Sequence, residues 1–307
     1  MAIIRSVERR LPDGGLGKVM PYHISLEGLE RNIICRDDED CDIMVKTIAV
    51  CSLRKNVIVI IYAVVSNHAH IAVLARSFEE ARAFAEELKR MYSMHFRHKY
   101  GEAKSLKKTD VNVQLLDTDW YLRNALAYIP RNAYDNGAKN LADYKWTGFK
   151  ASFRKNDRPI GLRRVSELSG RQWRKVFHTG DDLSHTSWLI NETDELEPFS
   201  FCDTTFLEQA FNNDEAFFYR VLGNVNCSEM TEKLVVAPRT MKTDADFLKE
   251  VESICARWFC TNVRSLSDSQ KARLLPYIYH TIKTSVAQMA RALGMGRDDI
   301  RLLLGLD

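Results

Sequence analysis

The chain is 307 residues long, 45% hydrophobic and 28% charged, enough for two or three domains that each bury a core. Its net charge of +3, from 44 basic and 41 acidic residues, excludes a protein that binds nucleic acid through bulk charge alone, so any such function must rest on local clusters. The start, MAIIRSVERRLPDGG, carries no apolar leader core, and the apolar run VIVIIYAVV at 57–65 is far shorter than the roughly 20 residues that span a bilayer. The expectation is therefore a cytoplasmic protein with no membrane partner.

Taken in chain order, PYHISL at 21–26 predicts a first strand, with Gly28 opening the turn after it. DDEDCDIMVKTIAVCSL at 37–53 sets Ile43, Met44, Ile48, Ala49 and Cys51 at helical spacing behind an acidic start. VIVIIYAVV and HIAVLA follow as two strands joined by Ser66 and Asn67. Ser77-x-x-Glu80 then reads as a capping box for a long helix to about Tyr100, burying Ala81, Phe84, Ala85, Leu88 and Tyr92. A lysine-bearing loop, the strand VNVQLL at 111–116 and a helix capped by Thr118 and running through Ile129 complete a β-α-β-β-α-β-α order. That order predicts an α+β fold, an antiparallel sheet with packed helices, occupying residues 1–155.

Residues 156–240 give little periodicity beyond the basic run RKNDRPIGLRR and scattered aromatics, and are read as a connecting region. From 241 to 307 the helical period returns. Phe247, Leu248, Val251, Ile254, Cys255 and Trp258 share a face behind a Thr243-x-x-Asp246 start. The end, SVAQMARALGMGRDDIRLLLG, breaks at Gly294-Met295-Gly296 in a helix-turn-helix pattern. It suits either DNA reading or packing, because Asp298 and Asp299 open the second helix, where carboxylates suit the helix dipole but face phosphates badly. The seven cysteines are odd in number and contain no C-x-x-C, against both a disulfide framework and a thiolate zinc site.

Within VVSNHAHIAVL at 64–74, strand alternation turns His68 and His70 to the same face, within reach of one metal ion. Two polar residues on a wet strand surface would share that spacing. Two imidazoles hold a catalytic divalent ion poorly, so a third donor is needed. In ALAYIPRNAY at 125–134, Tyr128 and Asn132 lie four apart on one helical face. An amide oxygen suits Mg²⁺ or Mn²⁺, and a phenol is a nucleophile once it loses its proton. A half-buried tyrosine and an asparagine near a helix end are the plainer reading of the same residues. Pro130, between the two, removes a helix hydrogen bond at a cost of about 3 kcal/mol or kinks the helix.

Together these motifs resemble the single-tyrosine transposases of the HUH endonuclease class, including the REP-associated tyrosine transposases. The resemblance covers about residues 20–155: a Tyr22-His23-Ile24 strand, the DDED helix start, Asn67-His68-Ala69-His70, Tyr128-Ile129-x-x-Asn132 and Trp146-Thr147-Gly148-Phe149. The sequence departs from the pattern at Glu27, where arginine is usual, at Ala133, where proline is common, and at Pro130. The resemblance implies a ferredoxin-like HUH fold, His68, His70 and Asn132 as ligands to Mg²⁺ or Mn²⁺, and Tyr128 as the nucleophile. It also implies a 5′-phosphotyrosine intermediate on single-stranded or hairpin DNA, and a homodimer.

Lys89, Arg90, Arg97, Lys99, Lys104, Lys107 and Lys108, interleaved with Tyr92, Phe96 and Tyr100, suit a single strand's phosphates and bases, as does Arg131; a solvated basic helix face would look the same. Tyr92 shares its stripe with core residues, and His95 and His98 are expected on the surface. Two other functions stay open: a DNA-binding protein that keeps the fold without cleaving, and an unrelated metallohydrolase built on His68 and His70.

Overall fold

The computed structural model describes residues 6–27, 33–101, 110–135, 138, 140–153, 159–224, 244–279 and 286–304. Gly28, Lys104, Lys107, Lys108 and Thr243 of the sequence reading lie outside the described residues. The chain divides into two compact units, 1–234 and 235–307.

The first unit is built on an antiparallel sheet. Strand β1 (Val7–Arg10) pairs with the start of β2 (Leu16–Glu27) through a turn over Pro12-Asp13-Gly14-Gly15, a hairpin the sequence reading missed. Helix α1 (Asp38–Lys55) begins where the Asp37 carboxylate accepts from the Asp40 amide at 2.9 Å, and it ends at Asn56 in the left-handed region. Strands β3 (Ile58–Val64) and β4 (His68–Ala75) form the next hairpin, and α2 (Phe78–Tyr100) follows. Ser77 caps α2, but Glu80 turns back to the Arg76 amide and guanidinium rather than closing a capping box on Ser77. Strand β5 (Asp110–Leu115) leads into α3 (Asp119–Asp135), which Thr118 caps through the Tyr121 amide. The four main strands lie in the order β5-β2-β4-β3, and β1 pairs with the start of β2 at Leu16–Val19.

Strand alternation splits the side chains into two cores. Tyr22, Ile24, Leu26, Ile71 and Val73 face α1 and α2. Val19, Ala63, Ala72 and Leu74 face α3. Residues expected to connect domains instead pack onto this unit. A two-strand ribbon, β6 (Arg163–Arg164) with β7 (Leu189–Ile190), and α4 (Gly170–Phe177) bury Val165, Phe177 and Trp188 against Ala49 and Val50 on the outer side of α1. The chain then runs past the edge of β3, where the Asp203 amide donates to the Val59 carbonyl at 2.7 Å, and reaches the α3 side as α5 (Thr204–Ala210) and α6 (Glu215–Asn224). Farther along β3, Val64 donates to the Trp146 carbonyl and the Thr147 hydroxyl to that of Tyr62. Gly148 makes this approach possible, since a Cβ there would meet Ile61 at 3.2 Å and the Tyr62 amide at 3.3 Å. Both segments cover an edge that would otherwise offer free backbone donors.

The second unit is helical: α7 (Asp244–Phe259), α8 (Asp268–Tyr277), α9 (Val286–Leu293) and α10 (Arg297–Leu304). Its core gathers Phe247, Val251, Ile254, Leu274, Leu275, Met289, Leu293 and Ile300. Gly294, at φ +63°, turns the chain between α9 and α10. On α10 Ile300 is buried and Leu304 packs against the core, while Leu303 is exposed. No helix among the described residues is long and apolar enough to cross a membrane.

Candidate active site

The α3-facing side of the sheet carries a polar cluster where an aliphatic core would be expected. Register pairs Ser25 with His70 and His23 with Ala72, so His23, Ser25, His68 and His70 share this face. Helix α3 lies over them and lowers Tyr128 and Asn132 onto the imidazoles.

Four side chains converge. The His68 and His70 rings lie 4.8 Å apart between centroids in an edge-to-face arrangement. The Tyr128 ring meets His70 edge-to-face at 5.4 Å. Asn132 Oδ1 stands 3.2 Å from His68 Nε2. Asn132 and His70 are 3% and 2% exposed and Tyr128 is 4% exposed, so the cluster is nearly sealed by α3, with His68 on its more open side.

Each donor is aimed by a partner outside the cluster. The Asn132 amide group donates to the carbonyls of Tyr128 at 3.0 Å and Ile129 at 3.1 Å. Carbonyls only accept, so the nitrogen must face the helix and the oxygen must face His68. His68 Nδ1 donates to Asn67 Oδ1 at 2.7 Å, so in the neutral ring its Nε2 keeps the lone pair. In the neutral ring that lone pair faces Asn132 Oδ1 across 3.2 Å, where an imidazolium would instead donate an N–H to it. His70 Nδ1 lies 3.1 Å from His23 Nε2, and the two rings stack. Burial, with His68 and His23 adding, holds His70 well below the ordinary imidazole range, so it is neutral, as a metal donor must be.

One spacing in this donor set is compatible with a shared divalent ion. Adjacent ligands about 2.1 Å from an ion, at roughly 90° to 110° from each other, stand about 3.0–3.4 Å apart, which matches the spacing of His68 Nε2 and Asn132 Oδ1. Among the described residues no group of three or more His, Cys, Asp or Glu side chains is arranged to hold a metal. An ion here would thus use the mixed set of two imidazoles and one amide. Mg²⁺ and Mn²⁺ accept such oxygen and nitrogen donors.

Pro130 does not break α3. The helix runs on from Ile129 to Asp135, and the extra hydrogen bonds from Asn132 lie within the turn that Pro130 weakens. Tyr128 and Asn132 therefore keep helical spacing.

The expected DNA-contacting cations fare differently. Lys89, Arg90, Arg97 and Lys99 stand on α2, which packs on the opposite side of the sheet from the histidines. Lys99 is committed to the acidic start of α1, with Asp37 at 2.8 Å, Glu39 at 2.7 Å and Asp40 at 3.0 Å. Arg90 pairs with Glu87 at 2.7 Å. Lys89 is half-buried and Arg97 exposed, and neither enters an ion pair among the described residues. Arg131 donates to the Leu222 carbonyl at 2.8 Å, tying α3 to α6. Lys99 and Arg131 thus serve the fold, because each finds acceptors brought close only by tertiary packing.

Tyr92, the rival nucleophile, is fully buried; its hydroxyl donates to the Ile34 carbonyl at 2.7 Å, and burial raises its pKa. His95, expected at the surface, is instead half-buried, with Nε2 3.1 Å from the buried Asp40 carboxylate. The residue missed from sequence is His23, whose relation to His70 depends on the β2–β4 register. Its only signal was its place in the Tyr22-His23-Ile24 strand.

No protein-family model matches the chain, and no curated protein matches it. Among solved structures, that of a REP-associated tyrosine transposase bound to a REP hairpin is similar over 52% of this chain and 87% of its own, at 12% identity and a TM-score of 0.35.

Proposed function

We propose that the first unit is a metal-dependent nuclease and strand transferase acting on single-stranded or hairpin DNA, with Tyr128 as nucleophile. The observation that carries this reading is the convergence of His68 Nε2 and Asn132 Oδ1, 3.2 Å apart, beside a neutral His70 and the Tyr128 ring. We read the β5-β2-β4-β3 order, with its two crossover helices, as the ferredoxin-like arrangement of HUH endonucleases.

His68, His70 and Asn132 would hold Mg²⁺ or Mn²⁺. When bound, such an ion offsets the charge of a phosphodiester's anionic oxygens, which otherwise repel an incoming phenolate. The protein's own part is placement. Strand β4 fixes the imidazoles, and α3 fixes the phenol and the amide on adjacent turns. The Tyr128 oxygen, its proton released to solvent, attacks phosphorus; the bond from phosphorus to the 3′ oxygen breaks, and that oxygen takes up a proton. A 5′-phosphotyrosine and a free 3′ hydroxyl result. Because a phosphodiester replaces a phosphodiester, reversal rejoins the strand without ATP.

The 4% exposure of Tyr128 favours a second reading, a DNA-binding protein that keeps the fold without cleaving. Incubation of the full chain with labelled hairpin DNA and Mn²⁺ decides between them. A covalent adduct that survives denaturation and disappears in Tyr128→Phe supports cleavage. Tight binding without an adduct supports the second reading.

A further inference from the structure

We propose that His23 is the positioning residue that sets the tautomer of His70, and that metal binding by His70 depends on it; this rests on the reading of His70 as a metal donor. The two residues are diagonal neighbours on β2 and β4, since register pairs His23 with Ala72 and His70 with Ser25. His23 is fully buried and His70 is 2% exposed. Their rings stack at 5.0 Å and 23°, and His23 Nε2 lies 3.1 Å from His70 Nδ1.

One proton lies between those nitrogens, and its position decides what His70 can do. If His23 Nε2 carries it, His70 accepts at Nδ1 and its own proton sits on Nε2, where it blocks coordination. If His70 Nδ1 carries it, His23 accepts, and His70 Nε2 is free to donate a lone pair to an ion. Only the second arrangement is compatible with His70 as a ligand. Metal-bound histidines usually donate their other N–H to a carboxylate, a carbonyl or water. Here the acceptor is a second imidazole, which fixes the ring without bringing a negative charge into the core.

The test uses the full-length protein in three forms: wild type, His23→Leu, and His23→Gln, whose side-chain oxygen still accepts. Long-range ¹H–¹⁵N spectra of metal-free protein labelled at histidine report the His70 tautomer, and paramagnetic resonance titration reports Mn²⁺ affinity. The expected result is Nδ1–H at His70 in wild type, loss of that single tautomer in His23→Leu with Mn²⁺ bound about 10-fold to 100-fold more weakly, and near-wild-type behaviour in His23→Gln. An Nε2–H tautomer in wild type overturns the proposal, as does unchanged Mn²⁺ affinity in His23→Leu or a His23→Gln variant as impaired as His23→Leu. If His23→Leu does not fold, the wild-type tautomer still decides. A wild type that binds no Mn²⁺ defeats the metal-centre reading and this dependence with it, whereas a wild type that binds Mn²⁺ while His23→Leu binds equally well defeats only the role of His23.

Discussion

Asn132 does two jobs with one side chain. Its oxygen faces His68, while its amide nitrogen satisfies two carbonyls of α3. Asn132→Asp separates these roles, because a carboxylate keeps the metal-facing oxygen but can only accept, so it sets lone pairs against the Tyr128 and Ile129 carbonyls. We expect this variant to lose about 1–3 kcal/mol of stability by urea denaturation while still binding Mn²⁺. Asn132→Leu should instead lose both Mn²⁺ affinity and adduct formation. Much of this geometry was legible in the sequence: alternation alone puts His68 and His70 on one face, and a four-residue step puts Asn132 over Tyr128. What alternation and periodicity do not contain is the partner of each group. His23 reaches His70 through strand register, and Lys99 is claimed by carboxylates about 60 residues away.

Among the elements, α3 shows how a local rule yields to its surroundings. An interior proline costs about 3 kcal/mol, yet α3 continues through Pro130 to Asp135 under a buried interface with β3, α5 and α6. Replacing Pro130 with alanine would restore a backbone donor but remove roughly two buried CH₂ groups at about 0.8 kcal/mol each. The net expectation is a gain of about 1 kcal/mol, read as a higher urea midpoint with unchanged slope. Elsewhere, Arg54 on α1 joins Glu87 on α2 at 2.7 Å to Asp181 beyond α4, also at 2.7 Å. Glu87 is held at about 2, chiefly by its hydrogen bond to Arg90, against burial and with help from Arg54. A carboxylate depressed in the folded state stabilises above its ordinary pKa of about 4.5, and that contribution is lost as pH falls from there towards 2. Glu87→Gln should therefore flatten the acid limb of the stability profile over that window. The segment that includes Asp181 was not legible as structure. Its strands β6 and β7 are two residues each, too short for any period, and its buried Trp188 and Phe177 find their core only against α1.

For the whole molecule, each unit has its own core, so residues 1–234 and 235–307 expressed separately should each unfold cooperatively. The first should retain Mn²⁺ binding; loss of binding on removing 235–307 would show that the site needs the second unit. The sheet itself sets a further condition. Its β3 edge is covered by residues 146–147 and 202–203, the candidate site lies on one face, and the cations of α2 lie beyond the other. A strand touching both has to pass around the sheet rather than across it, a detour longer than the roughly 10 Å spacing of packed layers. Substrate length and salt should then act on affinity separately from turnover. Oligonucleotides too short to make the detour would dissociate faster yet react at an undiminished rate once saturating, and neutralising Lys89 and Arg97 would shrink the ionic-strength slope of binding by about 0.7 per lost phosphate contact while leaving the single-turnover step alone.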